Sequence, residues 1–476
     1  MTTLAAIAKL KTELPPSAWS EDQDIISPHV IDWRQRVSGA TPILLTPANR
    51  EDVQQAVRIC AEHRIPLVPQ GGNTGLVAGG IPGIEQTEIL LSLSRMISVD
   101  AANPANMTIK VGAGATLQAV QNAAKEAGLL FPLSLASEGT CSIGGNIATN
   151  AGGVHVIKYG TMQALVTGIE AVLPSGELYI DNGNLVKNNT GYNLTRLLCG
   201  SEGTLGIITA ATLKLFPQPK TKLSAWLGFN SMQQAIDIFM NLRHEFGDQI
   251  AAFEIMPSAA MAFLDRHLPH AKIPIQTDTP WHALVDIYSM INESSLQNQF
   301  IDWYDSNAVN RDGIKDSIIG VIATNQREMD AFWRLRESFP DIQKREGYSI
   351  KHDIALPLDQ IAAFTQEMLT ELQQLCPGVR PVPFGHLGDG NLHFNLTCPV
   401  GMKDADFKDM AEDLTACIFG EVHKRGGTIS AEHGIGLLRK SDLKRYKMAA
   451  DLKIMRDIKQ AIDPHNLFNP GRIFDL

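Results

Sequence analysis

The sequence predicts a mixed α and β protein of more than one domain, whose first half is built from small αβ units joined by glycine loops. Three observations lead there. At 476 residues the chain exceeds what one hydrophobic core usually serves, so two or three domains are the natural division. Strand–helix–strand patterns recur near the start. Glycine-dense segments run through the first part and thin out after LFPQPKTK at 215–222.

In chain order, residues 1–37 form an N-terminal extension read as helical. MTTLAAIAKLKTELPPSAW carries an apolar patch broken by Lys9 and Lys11, lacks a secretory cleavage pattern and contains no arginine, so neither a secretory nor a mitochondrial leader is expected. Residues 43–70, ILLTPANREDVQQAVRICAEHRIPLVPQ, parse as strand, helix, strand. Asn49 is placed to cap the helix, Val53, Val57 and Cys60 recur at helical spacing, and Pro66 opens the next extended run. A second unit follows at 107–133: extended MTIKVGAG, helical TLQAVQNAAKEAG, then LLFPL.

Three glycine-rich segments follow from this scaffold: VPQGGNTGLVAGGIPG at 68–83, ASEGTCSIGGNIATNAGGVHVIKYG at 136–160 and GSEGTLGIIT at 200–209. Glycine at this density costs chain entropy. Two readings stand side by side: tight turns, or backbone N–H groups brought close to a phosphate-bearing ligand. None of the segments matches G-x-G-x-x-G or G-x-x-x-x-G-K-[ST]; VGAGATL at 111–117 lacks the third glycine. A dinucleotide Rossmann fold and a P-loop fold are both disfavoured.

Beyond 222 come alternating strand-like and helical runs to about 380, with a polar helix around 322–346. The remainder holds FGHLGDGNLHF at 384–394, a helix near 404–424, GGTISAEHGIGLLRK at 426–440 and the tail IDPHNLFNPGRIF. No window offers the ~18 continuous apolar residues of a membrane span.

Composition narrows function. With 44% hydrophobic and 19% charged residues the chain is expected to be soluble and globular, and a formal net charge of −10 without basic runs argues against a nucleic-acid binder. An anionic substrate needs its own cationic pocket. Six scattered cysteines with no C-x-x-C pair are expected as reduced thiols, which fits a cytoplasmic protein.

In FGHLGDGNLHF, reading Asp389-Gly390 as a two-residue hairpin loop pairs Gly388 with Asn391 and Leu387 with Leu392, and sets His386 directly across from His393 with Asn395 on the same face. Opposed imidazoles about 5 Å apart at Cβ suit a metal ion, and equally suit ordinary packing.

Six ordered segments, PQGGNTGLVAGG, GGNIATNAGG, GSEGTLGIIT, GHLGDGNLHFN, SAEHGIG and DPHNLFNPGR, resemble the FAD-dependent 2-hydroxy-acid dehydrogenases with a vanillyl-alcohol-oxidase-type FAD domain. The likeness is to the D-2-hydroxyglutarate dehydrogenase branch, with the D-lactate and glycolate enzymes as cousins. It implies an α+β fold: a two-subdomain PCMH-type FAD-binding domain at 38–218 and a C-terminal FAD-linked oxidase domain with an antiparallel sheet at 219–476. By position in these motifs, Pro69, Gln70, Gly71, Gly72, Asn73, Thr74 and Gly75 form the pyrophosphate loop. Gly139, Thr140, Gly144, Gly145, Asn146, Ala148, Asn150, Gly152 and Gly153 line the flavin, Ile207 and Ile208 meet the adenine side, and Asn469 meets the ring. GGNTG contains no histidine, so FAD is expected to be noncovalent. TGYNL has Asn193 where the family pattern has aspartate.

The chemistry implied is removal of a hydroxyl proton with hydride transfer from the same carbon to the flavin. A divalent cation polarising the hydroxyl eases the first loss, and His386, His393 and Glu432 supply the donor set of an open zinc site, with manganese or cobalt as substitutes. His433 is the expected general base. Arg336 and Lys351 match positions that contact substrate carboxylates in the family, with Asn395 and His433 also toward the substrate, while Pro340 stands where a hydroxyl residue is the rule. The expected substrate is D-2-hydroxyglutarate, then D-malate, oxidised to the 2-oxo acid; D-lactate or glycolate is the alternative. From other classes stand a metal-dependent hydrolase and a non-catalytic flavin carrier. The resemblance further implies an electron-transfer flavoprotein, quinone or cytochrome as acceptor. It is compatible with a homodimer and with peripheral association at the inner membrane through that acceptor.

Overall fold

A computed structural model describes residues 2–308 and 318–476. The chain divides into two compact units: Met1–Gly153, Tyr159–Gln218 and Glu432–Leu476 form the first, and Val154–Lys158 with Pro219–Ala431 the second. The change of composition after 215–222 therefore coincides with a crossing between units. Residues 432–476, which the sequence groups with the second domain, pack in the first unit.

The first unit is α+β, with two four-stranded sheets. In one, Leu44–Leu45, Ile89–Ser92 and Leu67–Gln70 run parallel, with Trp19–Ser20 antiparallel at the edge. In the other, Thr108–Gly112, Ile207–Lys214, Val166–Val172 and Leu178–Ile180 are antiparallel neighbours in that order. The helix Arg50–His63 starts where expected: the Asn49 side chain accepts from the Asp52 N–H at 2.8 Å, and Val53, Val57 and Cys60 are buried. Thr2–Glu13 lies against it, adding Ala6, Ile7 and Leu10 to the unit's core.

Its glycines hold two loops against each other. A Cβ on Gly72 would stand 2.1 Å from the Thr140 carbonyl oxygen, one on Gly71 2.3 Å from Ser142 Oγ, and one on Gly144 2.7 Å from the Ala113 Cβ. Gly75 by contrast meets nothing within 4 Å. The tail closes on the same unit. Phe468 bridges in parallel to Leu67, and Arg472 pairs with Glu88 at 2.6 Å. The buried Lys459 ammonium donates to Asp463 at 2.5 Å and to the carbonyls of Thr204 and Phe468 at 2.8 Å each.

The second unit is an antiparallel sheet in the order Ile319–Ile322, Thr221–Phe229, Trp281–Ser289, Ile250–Pro257, Arg380–His386, Asn391–Thr397 and Ser349–Ile350, with Ile354–Ala355 also paired to Asn391–Thr397. Trp281–Ser289 and Ile250–Pro257 are buried along their whole length, because helices pack on the sheet; Gln326–Arg345 and Ser258–His267 do so through Phe332, Phe339 and Phe263. Pro340 lies inside Gln326–Arg345, where the missing N–H would have met the Arg336 carbonyl. The helix near 404–424 is two, Asp404–Asp409 and Ala411–Lys424. All six cysteines are unpaired thiols, and burial pushes that of Cys60 up to about 12. Among the described residues no helix is long and apolar enough to cross a membrane.

The hairpin departs from expectation by two residues. Phe384, not His386, pairs with His393, and Val382 pairs with Asn395. The connection is longer than a two-residue turn: Leu387–Asp389 form a 3-10 turn closed by Gly390 at φ 84°, and His386 pairs across the other side with Glu254. Side chains alternate with period two, so a slip of two keeps both histidines and Asn395 on one face.

Two stability predictions follow from this packing. Gly72→Ala should cost about 1–3 kcal/mol, several degrees in the melt, because backbone must shift, whereas Gly75→Ala should stay within about 0.5 kcal/mol of wild type. Equal melting curves for the two variants would contradict the close approach. Burial raises the Asp286 carboxyl to about 6 against the pull of its hydrogen bonds from Ser224 and Trp333. A raised folded value gives stability that is complete below the unfolded value of 3.8 and lost as pH rises through about 6. Asp286→Asn should therefore outlast wild type by about 3 kcal/mol near pH 8 and lose that advantage below about pH 4, read from urea unfolding at both pH values.

Candidate active site

The glycine loops of the first unit enclose a cavity of about 490 Å³. Residues 69–75 all line it, as do Thr140, Gly144, Gly145, Asn146, Ala148, Gly152, Ile207, Ile208 and Asn469. Gly139, Asn150 and Gly153 do not: the Asn150 Oδ1 accepts from the Gln163 N–H, and a Cβ on Gly153 would stand 2.1 Å from the Ser134 carbonyl oxygen. Glu432 and His433 lie in the same wall, together with Trp33, which is 65% exposed. The volume is in the range of cofactor pockets.

The wall fits a flavin nucleotide on two observations. Asn469, held at φ 48° by hydrogen bonds from its amide to the carbonyls of Gly79 (3.0 Å) and Glu202 (2.7 Å), carries a buried Oδ1 that meets no protein donor. A buried amide oxygen in a cavity wall calls for a donor from whatever fills the cavity. The loops that line it are held apart by nothing larger than hydrogen at Gly71 and Gly72, and Gly75 is open to a ligand.

Glu202 was not marked by sequence reasoning. It sits at φ 49°, and its carboxylate accepts from the N–H groups of Ile435 (2.9 Å) and Gly436 (2.7 Å). Burial pushes its carboxyl up and these two hydrogen bonds pull it back, with burial prevailing. The contact anchors the chain just after His433. Its only sequence signal is a charged residue between glycines in GSEGT. Asn193 resolves simply: its Oδ1 accepts from the Arg196 N–H at 2.9 Å and caps Leu194–Leu198, a task asparagine and aspartate perform alike.

In the second unit the rings of His386 and His393 stand 5.7 Å apart between centroids at 78°. The Asp353 carboxylate is 3.8 Å from His393 Nδ1. His386 Nδ1 meets Glu254 Oε1 at 2.5 Å, and the other Glu254 oxygen accepts from Arg336 Nε (2.9 Å) and Nη2 (2.7 Å). Burial alone would drive the Glu254 carboxyl up; His386 and Arg336 overcome it and hold the group at about 2. Arg336 is thus buried and already bonded to an acid, with its guanidinium 5.0 Å from the Phe384 ring centroid. Asn395 donates to Gln343 at 2.9 Å and accepts from the His352 N–H at 3.3 Å. Lys351 is half-buried, six residues beyond the end of the helix that carries Arg336. Glu254 also escaped the sequence, since one glutamate in IAAFEIMP shows nothing of its partners.

Two imidazoles on one sheet face, one with its Nδ1 fixed by a carboxylate, are a donor set that suits zinc or a similar ion. At the end of this unit the Ala431 N–H donates to the Asp353 carbonyl at 3.2 Å.

Comparison with known proteins accords with this. Residues 218–473 match the FAD-linked oxidases, C-terminal domain, and residues 41–181 match the FAD binding domain. The chain is 36% identical to a D-2-hydroxyglutarate dehydrogenase of Xanthomonas citri pv. viticola, over 93% of this chain and 91% of that one. It is 33% identical to that of Stutzerimonas stutzeri over the full length of both, and 34% identical to the mitochondrial enzyme of Danio rerio over 96% of this chain and 83% of that one. Among solved structures it resembles p-cresol methylhydroxylase, with a TM-score of 0.75 at 18% identity over 100% of this chain and 97% of that one. It also resembles 4-ethylphenol oxidase from Gulosibacter chungangensis, with a TM-score of 0.73 at 17% identity over 100% and 98%. These last two speak to the fold. With a cavity that fits a flavin nucleotide and a family model spanning more than half its length, the chain is an FAD-dependent oxidoreductase belonging to the FAD-linked oxidases, among relatives that are D-2-hydroxyglutarate dehydrogenases.

Proposed function

We propose that the protein oxidises a D-2-hydroxy acid, D-2-hydroxyglutarate first and D-malate second, to the 2-oxo acid. The observation that carries the reading is the place of His433, a titratable imidazole in the wall of the cavity that the glycine loops enclose. FAD, bound noncovalently there, supplies the two-electron acceptor for the hydride. His433 takes the hydroxyl proton, and its segment is steadied by the two hydrogen bonds to Glu202. His386, His393 and Glu432 would hold a divalent ion, zinc or in its place manganese or cobalt, and such an ion would supply Lewis acidity toward the hydroxyl. Arg336 and Lys351 attract the substrate carboxylates, with Asn395 on the same strand face as the histidines. Electrons then leave to an electron-transfer flavoprotein, quinone or cytochrome. The unpaired cysteines support a cytoplasmic setting.

A second reading, D-lactate or glycolate as substrate, is favoured by two observations. The Arg336 charge is already met by Glu254, and Pro340 offers no side-chain donor.

The choice is made by kcat/KM for D-2-hydroxyglutarate, D-malate and D-lactate, with anaerobic bleaching of the flavin as the sign of hydride transfer. Dicarboxylates are expected to lead, and Arg336→Ala should cost them at least about tenfold, the worth of a charge-assisted contact. D-lactate as the best substrate would overturn the dicarboxylate assignment, and a colourless protein that takes up no FAD would overturn the whole. His433→Ala should lower kcat by about 10²–10⁴-fold with little change in KM. Stripping divalent ions should abolish turnover and leave the flavin spectrum intact; full activity without metal would refute the metal set.

A further inference from the structure

We propose that Glu254 is a positioning residue that fixes the metal ligand His386 and the substrate-binding cation Arg336 through one shared carboxylate. This rests on the metal reading above.

Glu254 is a fully buried acid in the middle of Ile250–Pro257, whose other residues are apolar and equally buried. A charge there persists only if it is paired and hydrogen-bonded. Both of its oxygens are engaged, one by His386 Nδ1 at 2.5 Å and the other by Nε and Nη2 of Arg336 at 2.9 and 2.7 Å. The backbone sets the first contact, since Glu254 and His386 are direct partners across neighbouring strands.

The charges also close. Glu254 and Arg336 cancel, so a neutral His386 leaves the buried trio without net charge. An ionised carboxylate only accepts, so Nδ1 carries the proton and donates, and the lone pair lies on Nε2. That is the tautomer a metal ligand needs, and a carboxylate behind the distal nitrogen also holds the ring in plane and raises its basicity. The second histidine is tied to the same cation. Phe384 lies under the Arg336 guanidinium and meets the ring of His393, its cross-strand partner, at 5.1 Å between centroids with the planes tilted by 53°. One acid and one arginine therefore orient both imidazoles, and the cation that meets the substrate cannot move without moving the acid that orients the metal ligand.

A merely charge-neutralising glutamate would give a different mutational pattern. In Glu254→Gln the amide has one acceptor for two donors, so either Arg336 or His386 loses its partner. In Glu254→Gln/Arg336→Met that oxygen serves His386 alone, and no buried charge remains. The test is zinc affinity of the FAD-loaded full-length protein, by competition with a chromophoric chelator, for wild type, His386→Ala and these two variants, with flavin content and melting temperature measured alongside. Expected are zinc binding by wild type, its loss in His386→Ala, a 10–100-fold weakening in Glu254→Gln with full flavin content, and recovery to within about tenfold of wild type in the double variant. Should Glu254→Gln fail to fold, the double variant decides by itself: affinity lost as completely as in His386→Ala overturns the proposal. Wild-type affinity in a folded Glu254→Gln, with His386→Ala inactive toward zinc, overturns the positioning role and leaves the metal reading standing. Zinc binding absent from wild type overturns both.

Discussion

The first unit depends on two backbones meeting where no side chain intervenes. Gly71 and Gly72 approach the 140–145 segment so closely that a single methyl group on either would overlap a carbonyl or hydroxyl oxygen. Both loops hang from rigid elements, the strand Leu67–Gln70 on one side and the capped helix Ile143–Ala148 on the other. Fixing them together turns two separate glycine loops into one wall, and the cavity is the space that wall encloses. The turn reading and the ligand reading of these glycines are thus both incomplete. Their lack of side chains serves loop-to-loop packing first, and the exposed backbone that results is what a phosphate-bearing ligand meets.

The second unit solves a different problem. Its sheet is buried on long stretches, and polar chemistry has to be placed inside it without leaving an unpaired charge. Glu254, Arg336 and His386 do this as a closed trio, with Asp286 on the strand next to that of Glu254, held by Ser224 and Trp333. The glutamate stays ionised because the Arg336 guanidinium and the His386 Nδ1 hydrogen bond together outweigh burial, whereas the aspartate, with hydrogen bonds from Ser224 and Trp333 only, is pushed toward neutrality. The contrast is one of partners, since both groups are removed from water.

Local signals were legible wherever the physics is local. Asn49 caps its helix because the cap needs only the three residues that follow, and the histidine pair keeps its shared face because alternation is a property of the strand itself. The register between strands was not local. It turned on a 3-10 turn and a left-handed Gly390, and on competition from the strand of Glu254 for His386. Glu202 and Glu254 stayed hidden for a similar reason: each matters through partners 233 or 132 positions away, and no spacing rule encodes such distances. The return of residues 432–476 to the first unit is the largest feature of this kind. Nothing in the composition of that segment marks which core receives it.

That return has a consequence for how the protein comes into being. A chain emerging from a ribosome can fold its first 218 residues early, yet the strand Leu67–Gln70 still lacks its bridge to Phe468, Glu88 lacks Arg472, and the cavity wall lacks Glu432, His433 and Asn469. The intervening residues 219–431 must be made, and their own sheet formed, before the segment that closes the wall exists. Until then Thr204 also lacks the Lys459 ammonium that bonds its carbonyl. The cavity of the first unit is thus complete only when a segment more than two hundred residues distant in sequence has joined it.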